Sequence, residues 1–405
     1  MGIKNNISED WVETILGKLP SDWKIVNAEN YCQKVADGTH DSPKKTKTGK
    51  LLVTSKNIKN SKLDLNSAYH ISNQDFEDVN KRSLVSKWDV LLSMIGTVGE
   101  VCLIHQEPDF AIKNVGLFKV GNETKSRWLF YFLKSKIGQN YIFVRLSGTT
   151  QQYITLRELR ELPVPVPPLP EQKAIAKVLT AFDDKIELLQ AQNKTLETMA
   201  QTIFKEWFGK YQIGDELPEG WREYELGDVC NLSAGGDKPK NSTSKSEGEN
   251  IIPIYSNGIK NEGLYGFTNN ASIFDESVTV SARGTIGYVC LRPIPYVPIV
   301  RLVSVIPDKN YLSAKFLFYF LKNNQILGTG TTQQQLTIPD FKLTRIIIPN
   351  SRLMDDFTQI INTFYIKIYS CKNQIQSLTK TRDTLLPKLM SGQVRVKNVK
   401  QTTNA

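Results

Sequence analysis

Polar side chains collect in this sequence where apolar runs break into loops. The stretch Asp37-Gly-Thr-His-Asp-Ser-Pro-Lys-Lys-Thr-Lys-Thr-Gly-Lys50 carries Lys44, Lys45, Lys47 and Lys50. Lysines in a loop take phosphates, and Thr39 or His40 can approach a base edge; the same composition also makes an ordinary solvated loop. An equally polar later stretch carries Lys238, Lys240 and Lys245. Ser55-Lys56-Asn57 and Ser256-Asn257 follow β-prone runs, where Asn or Lys can read a base or simply make the turn. Gly148-Thr149-Thr150-Gln151-Gln152 recurs as Gly330-Thr331-Thr332-Gln333-Gln334. Glutamine can bond adenine through two hydrogen bonds, and it equally caps turns. Thr97 and Thr285 lie in matching Gly-Thr steps, and Arg145 just before the first Thr/Gln run. Arg283 differs from its partner Met94 in the earlier copy, as two readers of different sequences require, though drift has the same effect. The candidate DNA contacts among these are Thr39, His40, Lys44, Lys45, Lys47, Ser55, Lys56, Asn57, Thr97, Arg145, Thr149, Thr150 and Gln151, and in the later copy Lys238, Lys240, Ser256, Asn257, Arg283, Thr285, Thr331, Thr332 and Gln333.

Chemistry of other kinds has little to stand on. The three histidines, His40, His70 and His105, have no partner at metal-ligand spacing, and HExxH is absent. There is no GxxxxGK phosphate loop, and Gly328-Thr-Gly-Thr-Thr-Gln does not complete GxGxxG. No Asn-Pro-Pro-Tyr-like tetrapeptide, of the kind that holds a flipped adenine, occurs. Cys32 corresponds to Cys230 and Cys102 to Cys290; in apolar, strand-like context they read as small core residues. The expectation is a chain with no catalytic residues and no metal.

The net charge of +10 over 405 residues is a mild pull toward an anionic partner. Five scattered cysteines without CxxC argue against a disulfide framework and fit a reducing cytoplasm. No apolar run reaches membrane length, and MGIKNNISEDW lacks a signal-peptide core. The expected location is the cytoplasm.

Something must hold the loops in place, and the stretch Glu171–Phe208 is built for it. Ile175, Leu179, Phe182, Ile186, Leu189, Asn193, Leu196, Ala200, Ile203 and Trp207 alternate at spacings of four and three, the period of a coiled-coil seam. The one polar seam position, Asn193, can fix register. A second copy lies 182 residues on: Phe357, Ile361, Phe364, Ile368, Cys371, Ile375, Leu378, Arg382, Leu385 and Leu389, with only Arg382 breaking the pattern. The two helices are natural antiparallel partners. Pro387 is expected to interrupt the second. Ile7–Val12 looks like a repeat of the Ile203–Phe208 helix tail, as if the chain were cut from a closed repeat.

Ahead of each helix the sequence is duplicated. Leu19-Pro-Ser-Asp-Trp23 and Leu217-Pro-Glu-Gly-Trp221 each open a globular unit. Leu51–Lys56 matches Ile251–Asn257 as strands entering loops, and Ser93–Leu103 matches Ser281–Leu291 with two glycines three apart. Trp128–Lys134 and Phe316–Lys322 read as buried helices. The expected class is α+β: two mixed α/β domains separated by two long antiparallel coiled-coil helices, duplicated about a pseudo-two-fold. A helix of about 57 Å, at ~1.5 Å per residue, would act as a ruler between two readers.

This pattern resembles the specificity subunit of type I restriction–modification systems. Its carriers are the paired Leu-Pro-x-x-Trp, Asp37-Gly-Thr-His40 with Ser42-Pro43, Ser93-x-Ile-Gly-Thr-Val-Gly99 and Gly-Thr-Thr-Gln. The most specific is Leu162-Pro-Val-Pro-Val-Pro-Pro-Leu-Pro-Glu-Gln172, leading into the long helix. The resemblance covers nearly the whole chain in order. It implies target-recognition domains at 19–167 and 211–350, each reading half of a split double-stranded DNA site. It implies spacer helices at 168–210 and 351–392, an N-terminal segment 1–18 pairing with the C-terminal region, and a flexible tail 393–405. It further implies a non-catalytic subunit that binds no cofactor itself. Its partners would be two methyltransferase (modification) subunits using S-adenosylmethionine, and restriction/translocase subunits using ATP and Mg. The second Leu-Pro-Pro-Glu-Gln is degraded here to Ile348-Pro-Asn-Ser-Arg-Leu-Met-Asp355. A scaffold whose domains bind proteins is the competing reading. It predicts no salt-dependent DNA affinity, whereas a DNA reader predicts log K falling with log[salt].

Overall fold

The computed structural model describes residues 10–328 and 335–396. The chain divides into two compact units. One comprises residues up to Leu188 together with those from Gln374 onward, and the other is Leu189–Asn373.

The first unit is built on a four-stranded antiparallel sheet in the order Val101–Leu103, Val90–Ser93, Val115–Lys119, Lys34–Asp37. Its central strands are apolar over Val90–Leu92 and Val115–Phe118, where every residue is buried, and turn polar only at their last residues, Ser93 and Lys119. Beside it lies a three-stranded sheet, in which Lys50–Thr54 pairs in parallel with Phe110–Lys113 and antiparallel with Tyr69–Ile71. A two-stranded ribbon joins Lys24–Asn27 to Pro163–Val166. The helix Glu123–Lys134 starts at Asn122, whose side chain accepts from the Lys125 amide at 3.1 Å. It buries Trp128, whose indole donates to the Pro165 carbonyl at 2.7 Å.

The second unit repeats these three sheets in the same strand order. Its larger sheet runs Val289–Arg292, Ser277–Val280, Val303–Pro307, Cys230–Ala234. Its smaller sheet pairs Ile252–Tyr255 in parallel with Val297–Pro298 and antiparallel with Leu264–Thr268. Its ribbon joins Arg222–Glu225 to Arg345–Ile348. Its buried helix, Ala314–Asn323, is capped by Ser313.

Two helices of 40 residues, Leu169–Phe208 and Ser351–Met390, each lend one half to each unit. Every seam position predicted in both helices is buried or half-buried. In the first unit Ile175 and Leu179 pack with Leu385, Leu389 and Met390. In the second, Ala200 packs with Phe357 and Ile361. The first helix therefore meets the second in the opposite chain direction within each unit. Toward its end the buried stripe turns to Ala200, Phe204 and Phe208, spaced by four, while Ile203 and Trp207 are half-buried. Phe208 and Phe357 meet edge to face at 5.1 Å.

Two expectations need correction. Pro387 does not interrupt the second helix, which continues to Met390. Pro387 costs one ladder hydrogen bond, but it stands in the last turn, and Leu389 and Met390 are held in the core beyond it. At the other end, Trp11–Thr14 is no helix tail. It is a strand, hairpinned with Gly17–Pro20 across a turn in which Gly17 takes φ +91°. The remainder of the Ile7–Val12 comparison, Ile7 to Glu9, lies outside the described residues.

The C-terminal segment closes the first unit. Arg395 donates to both oxygens of Glu171, at 2.6 and 2.8 Å, and to Asp22 at 2.7 Å. Trp23 adds its indole N–H to Glu171 at 3.3 Å. Thus Leu-Pro-x-x-Trp, the start of the long helix and the residues after the second helix share one hydrogen-bonded knot.

Candidate nucleic-acid interface

In the first unit the lysine-rich loop leaves the sheet at Gly38. Its backbone runs so close to Ile112 that a Cβ there would sit 2.3 Å from the Ile112 carbonyl oxygen, so only glycine fits. Beyond it the chain is pinned by Lys113, which donates to the Asp41 carbonyl and to Ser42 Oγ, both at 2.6 Å. His40 lies between two oxygens, with Nε2 2.9 Å from Asp37 and Nδ1 3.0 Å from Asn114. The buried Asp37 also pairs with Arg82. The loop returns through Thr46, whose amide donates to the His70 carbonyl at 3.0 Å and whose hydroxyl donates to the Thr48 carbonyl at 2.7 Å. Thr39 is half-buried; His40, Lys44, Lys45 and Lys47 are exposed.

The second unit builds the same loop from different residues. Gly235 makes the close approach, against Pro298. Thr243 makes the return, its amide donating to Phe267 at 2.9 Å and its hydroxyl to the Lys245 carbonyl at 2.7 Å. Lys45 stands 5.0 Å from the Tyr69 ring centre and Lys238 stands 5.3 Å from that of Tyr265, both within cation–π range. Lys238, Lys240 and Lys245 are exposed.

The strand-end residues divide. Ser55 is buried, donating to the Asn114 carbonyl at 2.8 Å and accepting from the Met94 amide at 3.2 Å. Buried Asn57 accepts from Thr54 N at 2.8 Å and donates to Ser67 Oγ at 2.9 Å. In the second unit Asn257 donates to the Val300 carbonyl at 2.7 Å and accepts from the Ala282 amide at 2.8 Å. These side chains brace loops with the groups that base reading would need. Ser256 is half-buried, and Lys56 is exposed.

The Gly-Thr steps form the same turn twice. Gly96 and Gly99 have φ of +79° and +95°, and Gly284 and Gly287 have +70° and +79°, so the chain can double back and expose Thr97 and Thr285. The neighbouring segment is held alike in both: Ile154 N donates to Met94 O and Leu336 N to Ala282 O, each at 3.0 Å. This corrects one correspondence: Met94 matches Ala282, and Arg283 matches Ile95. Thr149, Thr150 and Gln151 are exposed, and Gln151 lies against Gly96. Thr331, Thr332 and Gln333 lie outside the described residues. Arg145 is partly neutralised, with Nε 3.2 Å from Glu158 and its guanidinium 3.5 Å from the Tyr141 ring centre. Arg283 is exposed, and its Nε and Nη2 donate to Gln335 Oε1 at 3.3 and 3.1 Å. The residues missed in the sequence are those that position the others: Lys113, Asn114, Thr46, Thr243 and Gln335. Only Gln335 left a trace, as the third glutamine of a run.

Among the described residues no cluster of His, Cys, Asp or Glu could hold a metal ion. Burial pushes the thiols of Cys32, Cys102 and Cys230 up to about 12, the opposite of an activated nucleophile.

The sequence matches the type I restriction modification DNA specificity domain over residues 20–198 and again over 218–380. The chain belongs to that family; it is a specificity subunit of a type I restriction–modification system. The MjaIX specificity subunit of Methanocaldococcus jannaschii is 25% identical, with 98% of this chain and 99% of that protein covered. The HindI specificity subunit of Haemophilus influenzae is 24% identical over 61% of this chain and 72% of that protein. The crystal structure of a type I restriction–modification S subunit from M. genitalium shares the fold, with a TM-score of 0.63 at 18% identity, covering 96% of this chain and 98% of that one.

Proposed function

We propose that this chain recognises a bipartite, asymmetric double-stranded DNA site, one half through each unit. One observation carries the reading. The same loop and the same Gly-Thr turn are built twice on one topology, with different exposed side chains at matching positions. Equal scaffolds with unequal faces are what two readers of two half-sites require. Lys44, Lys45, Lys47 and Lys56 in the first unit, and Lys238 and Lys240 in the second, would take phosphates. Thr97, Thr149, Thr150, Gln151, Thr285 and Arg283 would face bases. The chain itself would be non-catalytic and without cofactor. It would dock two methyltransferase subunits, which would use S-adenosylmethionine, and restriction/translocase subunits, which would use ATP and Mg. Such a reader would work in the cytoplasm; no described helix is long and apolar enough to cross a membrane.

The test is genome-wide adenine methylation in cells carrying the partner methyltransferase, with and without this chain. A split, asymmetric motif appearing only with the chain supports the reading and supplies the target. An active methyltransferase with no new motif favours the protein-binding scaffold, which predicts that no salt-dependent DNA affinity is found in a binding titration.

A further inference from the structure

We propose that Arg283 reads a guanine in the half-site of the second unit, and that Gln335 holds it in the orientation for doing so. The proposal rests on the DNA-recognition reading above and deepens it to one residue and one base.

Arg283 and Ile95 occupy the same place in the same turn, as the matched hydrogen bonds of Met94 and Ala282 establish. Their neighbours differ in step. Ile95 stands opposite Tyr153 across a backbone bridge, whereas the Arg283 side chain is bonded to that of Gln335. The second unit thus places a guanidinium, and an amide that orients it, where the first has an isoleucine and a tyrosine.

The hydrogen-bond geometry says which edge is presented. A guanidinium has five N–H donors in a rigid fork. Gln335 Oε1 takes the Nε and Nη2 edge, at 3.3 and 3.1 Å. Of the two edges that can give two parallel hydrogen bonds to a planar acceptor pair, this leaves the outer one, between Nη1 and Nη2. Guanine offers such a pair in the major groove, O6 and N7; adenine places a donor beside N7, and cytosine and thymine lack the pair. Gln335 is neutral, so it fixes the fork without cancelling its charge. Among the described residues no carboxylate pairs with Arg283, in contrast to Arg145 with Glu158. A fork already held loses less side-chain freedom on binding.

The experiment uses the full chain assembled with its methyltransferase on a randomised DNA library, reading methylated sequences for wild type, Arg283→Gln, Arg283→Lys, Gln335→Ala and Gln335→Glu. Arg283→Gln should relax a single G·C position in one half-site by about ten-fold or more, leaving the other half-site unchanged. Arg283→Lys, which keeps the charge but not the fork, should relax the same position. Gln335→Ala should relax it by less, and Gln335→Glu should retain the preference, because the acceptor oxygen stays, at lower affinity, because the carboxylate cancels the fork's charge. A motif unchanged in Arg283→Gln overturns the assignment. So does uniform weakening with a shallower salt dependence, which marks a phosphate contact. Absence of any split motif with the wild-type chain overturns the recognition reading and this one together.

Discussion

Arg382 of the second long helix donates to Asp183 of the first at 2.6 Å. Arg382 is the residue that breaks the apolar seam in the sequence, and the structure shows why it is tolerated. Its stem is largely buried while its head reaches a carboxylate that also accepts from the Tyr131 hydroxyl at 2.9 Å. Arg382→Ala should lower stability by about 1–3 kcal/mol, since it removes a charge-assisted bond and buried methylenes together. Arg382→Leu, which restores the seam, should lose less. Urea unfolding of the two variants decides it, and a leucine variant weaker than the alanine one would refute the account.

Inserting four residues after Asn193 adds about one helical turn, or ~6 Å. If the long helices set the spacing, the spacer in the methylated motif should grow by one or two base pairs at ~3.4 Å each, with both half-sites unchanged. A changed half-site beside an unchanged spacer would sink the ruler.

Lys56 and Asn57 are adjacent but should behave oppositely. Asn57→Ala leaves Thr54 N and Ser67 Oγ without their buried partner and should cost about 1–3 kcal/mol of stability. Lys56→Ala should leave the melting temperature within a degree or two while weakening DNA binding. Thermal melts and a binding titration on both variants separate the roles.

Replacing Lys44, Lys45 and Lys47 together by alanine should flatten the plot of log K against log[salt] by roughly 0.9 for each phosphate no longer neutralised, at unchanged sequence preference. An unaltered slope would return this loop to the status of ordinary solvated surface.

The long helices were legible because a seam repeats over many turns and one proline near an end cannot erase it. The duplication was legible wherever packing demands the same residues, as in Trp128–Lys134 and Phe316–Lys322. The reading weakened in the loops. Thr46 and Thr243 do the same work in sequences that share almost nothing around them, since what they supply is backbone pairing. Ser55 and Asn57 carry the same donors and acceptors whether they face DNA or the protein interior, so composition could not separate the two. The Trp11 hairpin escaped because a short amphipathic segment has no period to betray its conformation.

The knot of Arg395 with Glu171 and Asp22 has a consequence for how the chain is made. The second unit is one uninterrupted stretch, Leu189–Asn373, whereas the first needs residues from both sides of it. As the polypeptide emerges, the unit begun first is completed last, after its sibling has been wholly synthesised. Until Leu389, Met390 and Arg395 leave the ribosome, the apolar face around Ile175 and Leu179 stands without its cover. A stop codon just before Leu389 would therefore damage the unit whose synthesis began first.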